Sequence, residues 1–170
     1  SNGSVICDYD NDGDLDIFVS TYGISVARGV NTLWENDGGS FTNVAVARGF
    51  ASQAGGNPFG AASGDGSAEP GKDENSYTGS NGFGIDCGDV DNDGDLDIVF
   101  AAIAHPDSTR QWADPTQILI NQGAEGGWAF VSESQSRNLP FNEGDVDAAW
   151  VDFDNDGRLD ISLSRDKKYE

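Results

Sequence analysis

Short apolar stretches separated by polar turns recur along the chain and predict strands. Three of them are rich in β-branched or large apolar residues and cover residues 17–19, 98–103 and 161–163. Two longer segments, 31–44 and 116–131, each contain an apolar run, a turn with Asn and Gly, and a second apolar run. Such runs favour strands, and an Asn/Gly turn between two of them is typical of a hairpin. The pattern therefore predicts an all-β protein.

A nine-residue acidic motif precedes each of the three single stretches. It begins at residues 8, 89 and 152, and its first copy is Asp-Tyr-Asp-Asn-Asp-Gly-Asp-Leu-Asp. The hairpin segment that follows the first copy recurs after the second, so the repeating unit is strand, acidic loop, strand, connection, strand, tight turn, strand. Four antiparallel strands in about 60 residues are what one blade of a β-propeller requires.

The repeats predict a partial β-propeller of about two and a half four-stranded antiparallel blades. We expect a first blade in residues 1–50, a second in 81–140 and the first half of a third in 141–170, all within one larger propeller domain. Residues 51–80, rich in Gly and Ser, are expected to form an inserted surface loop, with a functional lid as the alternative. Because so few blades cannot close a ring, further blades or a larger assembly are expected as partners.

The acidic motif has the chemistry of a calcium-binding hairpin loop. Calcium takes roughly six to eight oxygen ligands, which carboxylates at positions 1, 3, 5 and 9 can supply together with the backbone carbonyl of position 7. Glycine at position 6 permits the sharp turn around the ion. About three ions are expected, with side-chain ligands from Asp8, Asp10, Asp12, Asp16, Asp89, Asp91, Asp93, Asp97, Asp152, Asp154, Asp156 and Asp160, and carbonyl ligands from Asp14, Asp95 and Arg158.

Two other interpretations of the motif are weaker. An EF-hand needs a bidentate Glu at position 12 and helices on both sides, but position 12 here is Val19, Phe100 or Leu163, each in a predicted strand. A solvated acidic turn explains a single copy adequately. Three copies with Gly, Leu and the final Asp in register favour calcium sites.

The charge of the chain agrees with this interpretation and limits its partners. The formal net charge is -21, and the three loops hold nearly half of the 30 acidic residues. Such a chain is expected to repel nucleic acid and anionic membranes, and it has no apolar run long enough for direct membrane insertion. Weak calcium loops are occupied where calcium is near millimolar, so we expect a secreted, periplasmic or cell-surface location.

The sequence resembles the FG-GAP/VCBS repeats of integrin-like β-propellers, including those of ASPIC/UnbV-type secreted proteins. The acidic loops carry the resemblance, together with Phe83-Gly84 and Gly88-Asp89 before the second loop and the hairpin over residues 31–41. The resemblance implies a propeller of about seven blades, with calcium ions in the loops between the first two strands of a blade.

Cys7 and Cys87 lie one and two residues before the first two acidic loops, in strands expected to be equivalent. Because side chains alternate along a strand, the two cysteines should point to opposite faces, which is the parity that a disulfide between neighbouring blades needs. That bond would be worth about 4 kcal/mol in the chain-entropy model. The alternative is a pair of buried free thiols.

No catalytic residue is predicted. The single histidine, His105, has no Ser or Cys and acid at a spacing that suggests a triad, and the clustered carboxylates are assigned to calcium. We expect a non-catalytic scaffold for adhesion, protein assembly or carbohydrate recognition, with a protein or carbohydrate partner. The alternative is an accessory or catalytic propeller domain of a secreted carbohydrate-active enzyme.

Overall fold

The computed structural model describes residues 3–21, 31–51, 82–103, 115–140 and 144–166. These ranges contain ten strands in three antiparallel sheets, so the expected all-β class is confirmed. They contain no helix, and hence none with the length and apolar character to cross a membrane. The proposed insertion at 51–80 lies outside the described ranges, apart from its first residue.

Each sheet is built from strands that are consecutive in the chain. Sheet I contains β1 (Gly3–Cys7), β2 (Asp16–Ser20), β3 (Thr32–Asp37) and β4 (Ser40–Asn43), in that order. Sheet II repeats the order with β5 (Gly82–Gly88), β6 (Asp97–Ala102), β7 (Gln117–Asn121) and β8 (Phe130–Ser132). Sheet III pairs β9 (Asp145–Val151) with β10 (Asp160–Arg165). The strands expected after each acidic loop and the two expected hairpins are therefore confirmed.

The three acidic loops occupy equivalent places in the sheets. Each joins the first strand of its sheet to the second, and the last strand pair before the loop has the same register in every copy. Those pairs are Cys7 with Asp16, Gly88 with Asp97, and Val151 with Asp160. The sequence repeat is therefore also a repeat of structure.

Sheet II is packed between the other two sheets, and β6 shows this most clearly. All six residues of β6 are buried. Ile98, Phe100 and Ala102 belong to a hydrophobic cluster shared with sheet I, whereas Val99 and Ala101 belong to a second cluster with the sheet III residue Ala148. Burial on both faces explains why this strand is apolar throughout instead of alternating.

Aromatic rings fill the space between sheets I and II. Phe18 is fully buried, and its ring makes edge contacts with Tyr9 at 5.6 Å, Phe50 at 5.1 Å and Phe130 at 5.7 Å between ring centroids. Phe130 belongs to β8, so the cluster joins the two sheets. Edge-to-face geometry of this kind adds roughly 0.5–1.5 kcal/mol per pair beyond the area buried.

A network of polar side chains also connects sheets I and II, next to the aromatic rings. The buried Tyr9 hydroxyl hydrogen-bonds the Glu35 carboxylate, and Arg48 Nε donates to Tyr9 Oη at 3.0 Å. Arg48 also bonds Glu35 at 2.9 Å and donates to the carbonyl oxygen of Gly127, beyond β7, at 2.6 Å. The polar end of Tyr9 is thus satisfied inside the junction, as a buried phenol requires.

The first strands of the three sheets lie side by side, since β5 contacts both β1 and β9. Glycines allow this approach. A Cβ atom on Gly84 would lie 2.6 Å from Asp147 Cα and 2.7 Å from Ala148 N, both in β9. Gly3, at the equivalent place in β1, faces the carbonyl oxygen of Phe83 at a similarly forbidden separation. Both glycines are needed for steric reasons, because the atoms they face are backbone.

We expect Gly84→Ala to destabilise the protein by about 1–3 kcal/mol, because the added methyl group must push β9 away from β5. The exposed position Ser4→Ala on β1 is the control and should change the free energy of unfolding by less than about 0.5 kcal/mol. Denaturant unfolding of both variants measures the difference. Equal stability of the two variants would contradict the close packing of β5 on β9.

Candidate metal sites

Three clusters of carboxylates could hold metal ions. In each acidic loop, ligand oxygens from positions 1, 3 and 9 lie within 4.8 Å of one another. Within the described ranges, the number of clusters equals the number of ions expected from the sequence. The clusters are Asp8, Asp10 and Asp16; Asp89, Asp91 and Asp97; and Asp152, Asp154 and Asp160.

The carboxylate at position 1 organises the turn of each loop. Asp8 Oδ1 accepts the N–H of Asp12 at 3.1 Å, and Asp8 Oδ2 accepts the N–H of Gly13 at 3.0 Å. The equivalent bonds in the second and third loops are all 3.0 Å long. One side chain thus holds two consecutive amides, which pulls the loop around the cluster.

Two positions of the loop adopt left-handed backbone conformations. Position 6 is glycine, with φ between 84° and 95° in the three copies, as expected from the sequence. Position 4 is asparagine in every copy, with φ of 56°, 60° and 61°. Asparagine tolerates this conformation better than other side chains. The role of Asn at position 4 was not predicted, although its presence in all three copies was a visible signal.

The carboxylate at position 9 ties the loop to the sheet. Asp16 Oδ2 accepts the N–H of Tyr9 at 3.2 Å, and its Oδ1 accepts the N–H of Asn36, in β3, at 2.9 Å. Asp97 is bound in the same way by the N–H groups of Val90 and Asn121, at 3.0 and 2.9 Å. Both carboxylates are buried, and these bonds compensate for that burial.

Asn36 and Asn121 were predicted only as turn residues, but they support the loops. The side chain of Asn36 donates to the carbonyl of Leu15 at 3.2 Å, and Asn121 donates to that of Leu96 at 3.3 Å. Asn121 Nδ2 also donates to the carbonyl of Tyr9 at 2.8 Å and so reaches the first loop from the second sheet. The signal in the sequence was the Asn that precedes the hairpin glycines in both units.

The electrostatics of the first two loops favour a bound cation. Burial, followed by the charges of Asp16 and Asp12, raises the pKa of Asp10 to about 6. Burial likewise raises the pKa of Asp97 to about 6. Asp10 Oδ1 is buried and has no hydrogen-bond partner in the part of the chain that the structure describes. A cation would neutralise this crowding and supply the missing partner, so the residues fit a metal ion.

Positions 5 and 7 differ in where their side chains act. The charge of Asp12 contributes to raised pKa values of both Asp10 and Asp16, after burial, so Asp12 lies near the cluster. In contrast, Asp14 Oδ2 accepts the N–H of Gly38 at 2.8 Å, and Asp95 Oδ1 accepts a bond from Asn11 Nδ2 at 2.7 Å. The side chains of Asp14 and Asp95 therefore act outside their own clusters. That their carbonyls bind the ion stays a prediction.

The third loop differs from the other two at its position 7. Arg158 donates to Asp156 Oδ2 from both Nε, at 3.1 Å, and Nη2, at 2.5 Å, and these bonds lower the pKa of Asp156. Asp160 is exposed, whereas Asp16 and Asp97 are buried. The Arg158 guanidinium competes with a metal ion for the carboxylate at position 5, so the third cluster should bind a cation most weakly.

Cys7 and Cys87 come together where β1 and β5 are neighbours. Both are free thiols, and they form a side-chain hydrogen bond that raises the pKa of Cys7 and lowers that of Cys87. The disulfide stays a prediction at this point. His105, which was not expected to be catalytic, lies outside the described residues.

Cation binding at the first two clusters should weaken as the pH falls from 7 to 5. Protons compete for Asp10 and Asp97, so the calcium dissociation constant should rise by about tenfold per pH unit below 6 for each proton displaced. Without a cation, higher pH destabilises the folded protein instead. Asp10 and Asp97 ionise less readily when folded than when unfolded, so the free energy of unfolding falls as the pH rises from about 4 through 6. Calorimetric titration with calcium, and thermal unfolding in chelator, measure the two effects. An affinity that is independent of pH would contradict the raised pKa values.

Asp93→Ala should weaken calcium binding at the second loop far more than Asp95→Ala. Position 5 is expected to supply a side-chain oxygen and position 7 a backbone carbonyl, and removing one carboxylate ligand costs roughly tenfold or more in affinity. The two variants remove the same charge from the same loop, so each controls for the other. Equal losses in calorimetric titration would show that the ligands are misassigned.

No known protein family and no curated protein matches the chain. The role of the clusters therefore rests on the geometry described above.

Proposed function

We propose that the chain is a calcium-binding repeat module of the FG-GAP/VCBS type and forms part of a β-propeller. Its ions are structural, and the module serves as a scaffold for adhesion, protein assembly or carbohydrate recognition in a secreted, periplasmic or cell-surface protein. One observation carries the proposal: carboxylates at positions 1, 3 and 9 converge in all three loops, each at the same register of a hairpin.

The ligand atoms favour calcium among the metals. Every group that converges in the clusters is a carboxylate oxygen, and hard cations prefer such ligands, whereas zinc and copper sites use His or Cys. Each loop supplies its oxygens from nine consecutive residues. Magnesium demands stricter octahedral geometry and keeps its waters, so a single loop rich in carboxylates suits calcium better.

The arrangement of the sheets supports a propeller. Successive sheets stack face to face, with separate hydrophobic clusters at the two junctions, and their first strands are neighbours. Strands in the order of the chain within each sheet, with the first strands adjacent between sheets, form the pattern of blades around an axis. Gly3 and Gly84, placed at equivalent positions, allow the innermost strands to approach closely.

Sheet III presents a surface suited to a further blade. Tyr9, at position 2 of the first loop, is fully buried against sheet II, but Phe153, at position 2 of the third loop, is 80% exposed. We propose that a further blade covers Phe153 as sheet II covers Tyr9. That blade would present an apolar residue equivalent to Phe130 and an amide donor equivalent to Asn121.

The groove where the first strands meet gives no support to the alternative of a carbohydrate-active enzyme. The groove where the first strands meet is lined by Gly3, Ser4, Phe83, Gly84, Ile85, Val146, Asp147 and Ser164. This lining contains one carboxylate, Asp147, and no His, Lys or Tyr that would serve as a base beside a substrate, so it supplies neither such a base nor the carboxylate pair of a glycoside hydrolase. A scaffold whose loops are held by ions accounts for the described residues without a reaction.

Removing calcium should lower the melting temperature of the intact protein substantially. Without ions, the clustered carboxylates repel one another, and ligand binding stabilises a native state by about 2.7 kcal/mol at a hundredfold excess over the dissociation constant. Thermal unfolding with calcium, with magnesium and with excess chelator makes the comparison, and calcium should stabilise more than magnesium at equal concentration. Calorimetry should give about three ions per chain, the third the weakest. An unchanged melting curve in chelator would exclude structural calcium.

A further inference from the structure

Cys7 and Cys87 are positioned to join sheets I and II covalently. Cys7 is the last residue of β1 and is 6% exposed. Cys87 lies near the end of β5, is partly buried, and packs against the same hydrophobic cluster that contains Cys7. The two thiols are hydrogen-bonded to each other across the junction. The two side chains therefore interact directly at the junction of the sheets.

The strands that carry the two thiols, β1 and β5, are adjacent along their whole length. At the other end of β1, Gly3 faces the backbone of Phe83, which is the same sequence offset as that between Cys7 and Cys87. Ser20 Oγ accepts the N–H of Gly3 at 3.1 Å and donates to the carbonyl of Phe83, which fixes this end of the pair. Contact at both ends shows that β1 and β5 run alongside each other.

The register places the thiols on facing sides of the two strands. Cys7 pairs with Asp16 in sheet I, whereas Cys87 pairs with Ile98 in sheet II and thus occupies the place that Ile6 has in sheet I. Ile6 is 58% exposed and Cys7 is buried, so these two positions point to opposite faces. A residue on one face of sheet I therefore meets a residue on the opposite face of sheet II.

We propose that Cys7 and Cys87 form a disulfide that crosslinks sheets I and II between the first two acidic loops. In the oxidation, Cys87 exchanges with a low-molecular-weight disulfide, and Cys7 then displaces the second small thiol. Two protein thiols are oxidised to one disulfide, the small disulfide is reduced to two thiols, and the two protons pass to the released thiolates. Such bonds persist in oxidising compartments outside the cytosol.

The crosslink would hold the first and second acidic loops together. Asp8 directly follows Cys7, and Asp89 follows Cys87 after one glycine. The loops already touch, since Asn11 Nδ2 donates to Asp95 Oδ1 at 2.7 Å. The bond also closes the long stretch of chain between residues 7 and 87, so it restricts the unfolded chain whether or not an ion is bound.

The test uses the whole chain incubated with oxidised glutathione, then alkylated and analysed by mass spectrometry without reductant. We expect a product lighter by two hydrogen atoms, with the peptides of Cys7 and Cys87 linked. Its melting temperature should exceed that of the same protein kept in reductant by roughly 10 °C, in calcium and in chelator alike. Measuring both conditions separates this inference from the proposed role of calcium.

Cys87→Ser and Cys7→Ser are the matched controls. Each variant should form no linked peptides and should have the same melting temperature in oxidising and reducing conditions. The main comparison is between the oxidised and the reduced wild-type protein. It therefore remains valid even if one of the serine variants does not fold. Two free thiols per chain after oxidation, or stable glutathione adducts in place of the link, would overturn the proposal. A linked product with an unchanged melting temperature would overturn its stabilising role.

Discussion

In the first two acidic loops, the carboxylate at position 9 connects the local and the global structure. One of its oxygens accepts an amide of the loop, and the other accepts an amide of the third strand, as in Asp16 with Tyr9 and Asn36. Its burial makes both bonds necessary, because an unpaired buried carboxylate is costly. The candidate metal site, the hairpin and the sheet therefore share one side chain. Disturbing any one of them affects the other two.

Much of this architecture could be predicted from local patterns. The loops, the strands after them and the two hairpins depend on residues close together in the chain, and the repeats reinforced each interpretation. Known ligand chemistry predicted carboxylates at positions 1, 3, 5 and 9, and those at positions 1, 3 and 9 converge. The positive φ of Asn11, at position 4, was not predicted, because asparagine adopts this conformation much less regularly than glycine.

The contacts between sheets could not be predicted in the same way. Arg48 reaches the carbonyl of Gly127, and Asn121 reaches that of Tyr9, across separations of 79 and 112 residues. No local period encodes such distances. Gly84 was visible as part of a recognisable pair, but the reason for a glycine there, the backbone of β9, appears only when the sheets are packed.

The two-faced burial of β6 has a consequence for how the molecule loses its structure. In repeat proteins each unit contacts only its neighbours, so the ends can fray while the middle persists. β6 contributes alternate side chains to the clusters on either side of sheet II, so this sheet cannot open without exposing both. Opening sheet II therefore costs more than opening sheet I, which contributes to only one of the two clusters.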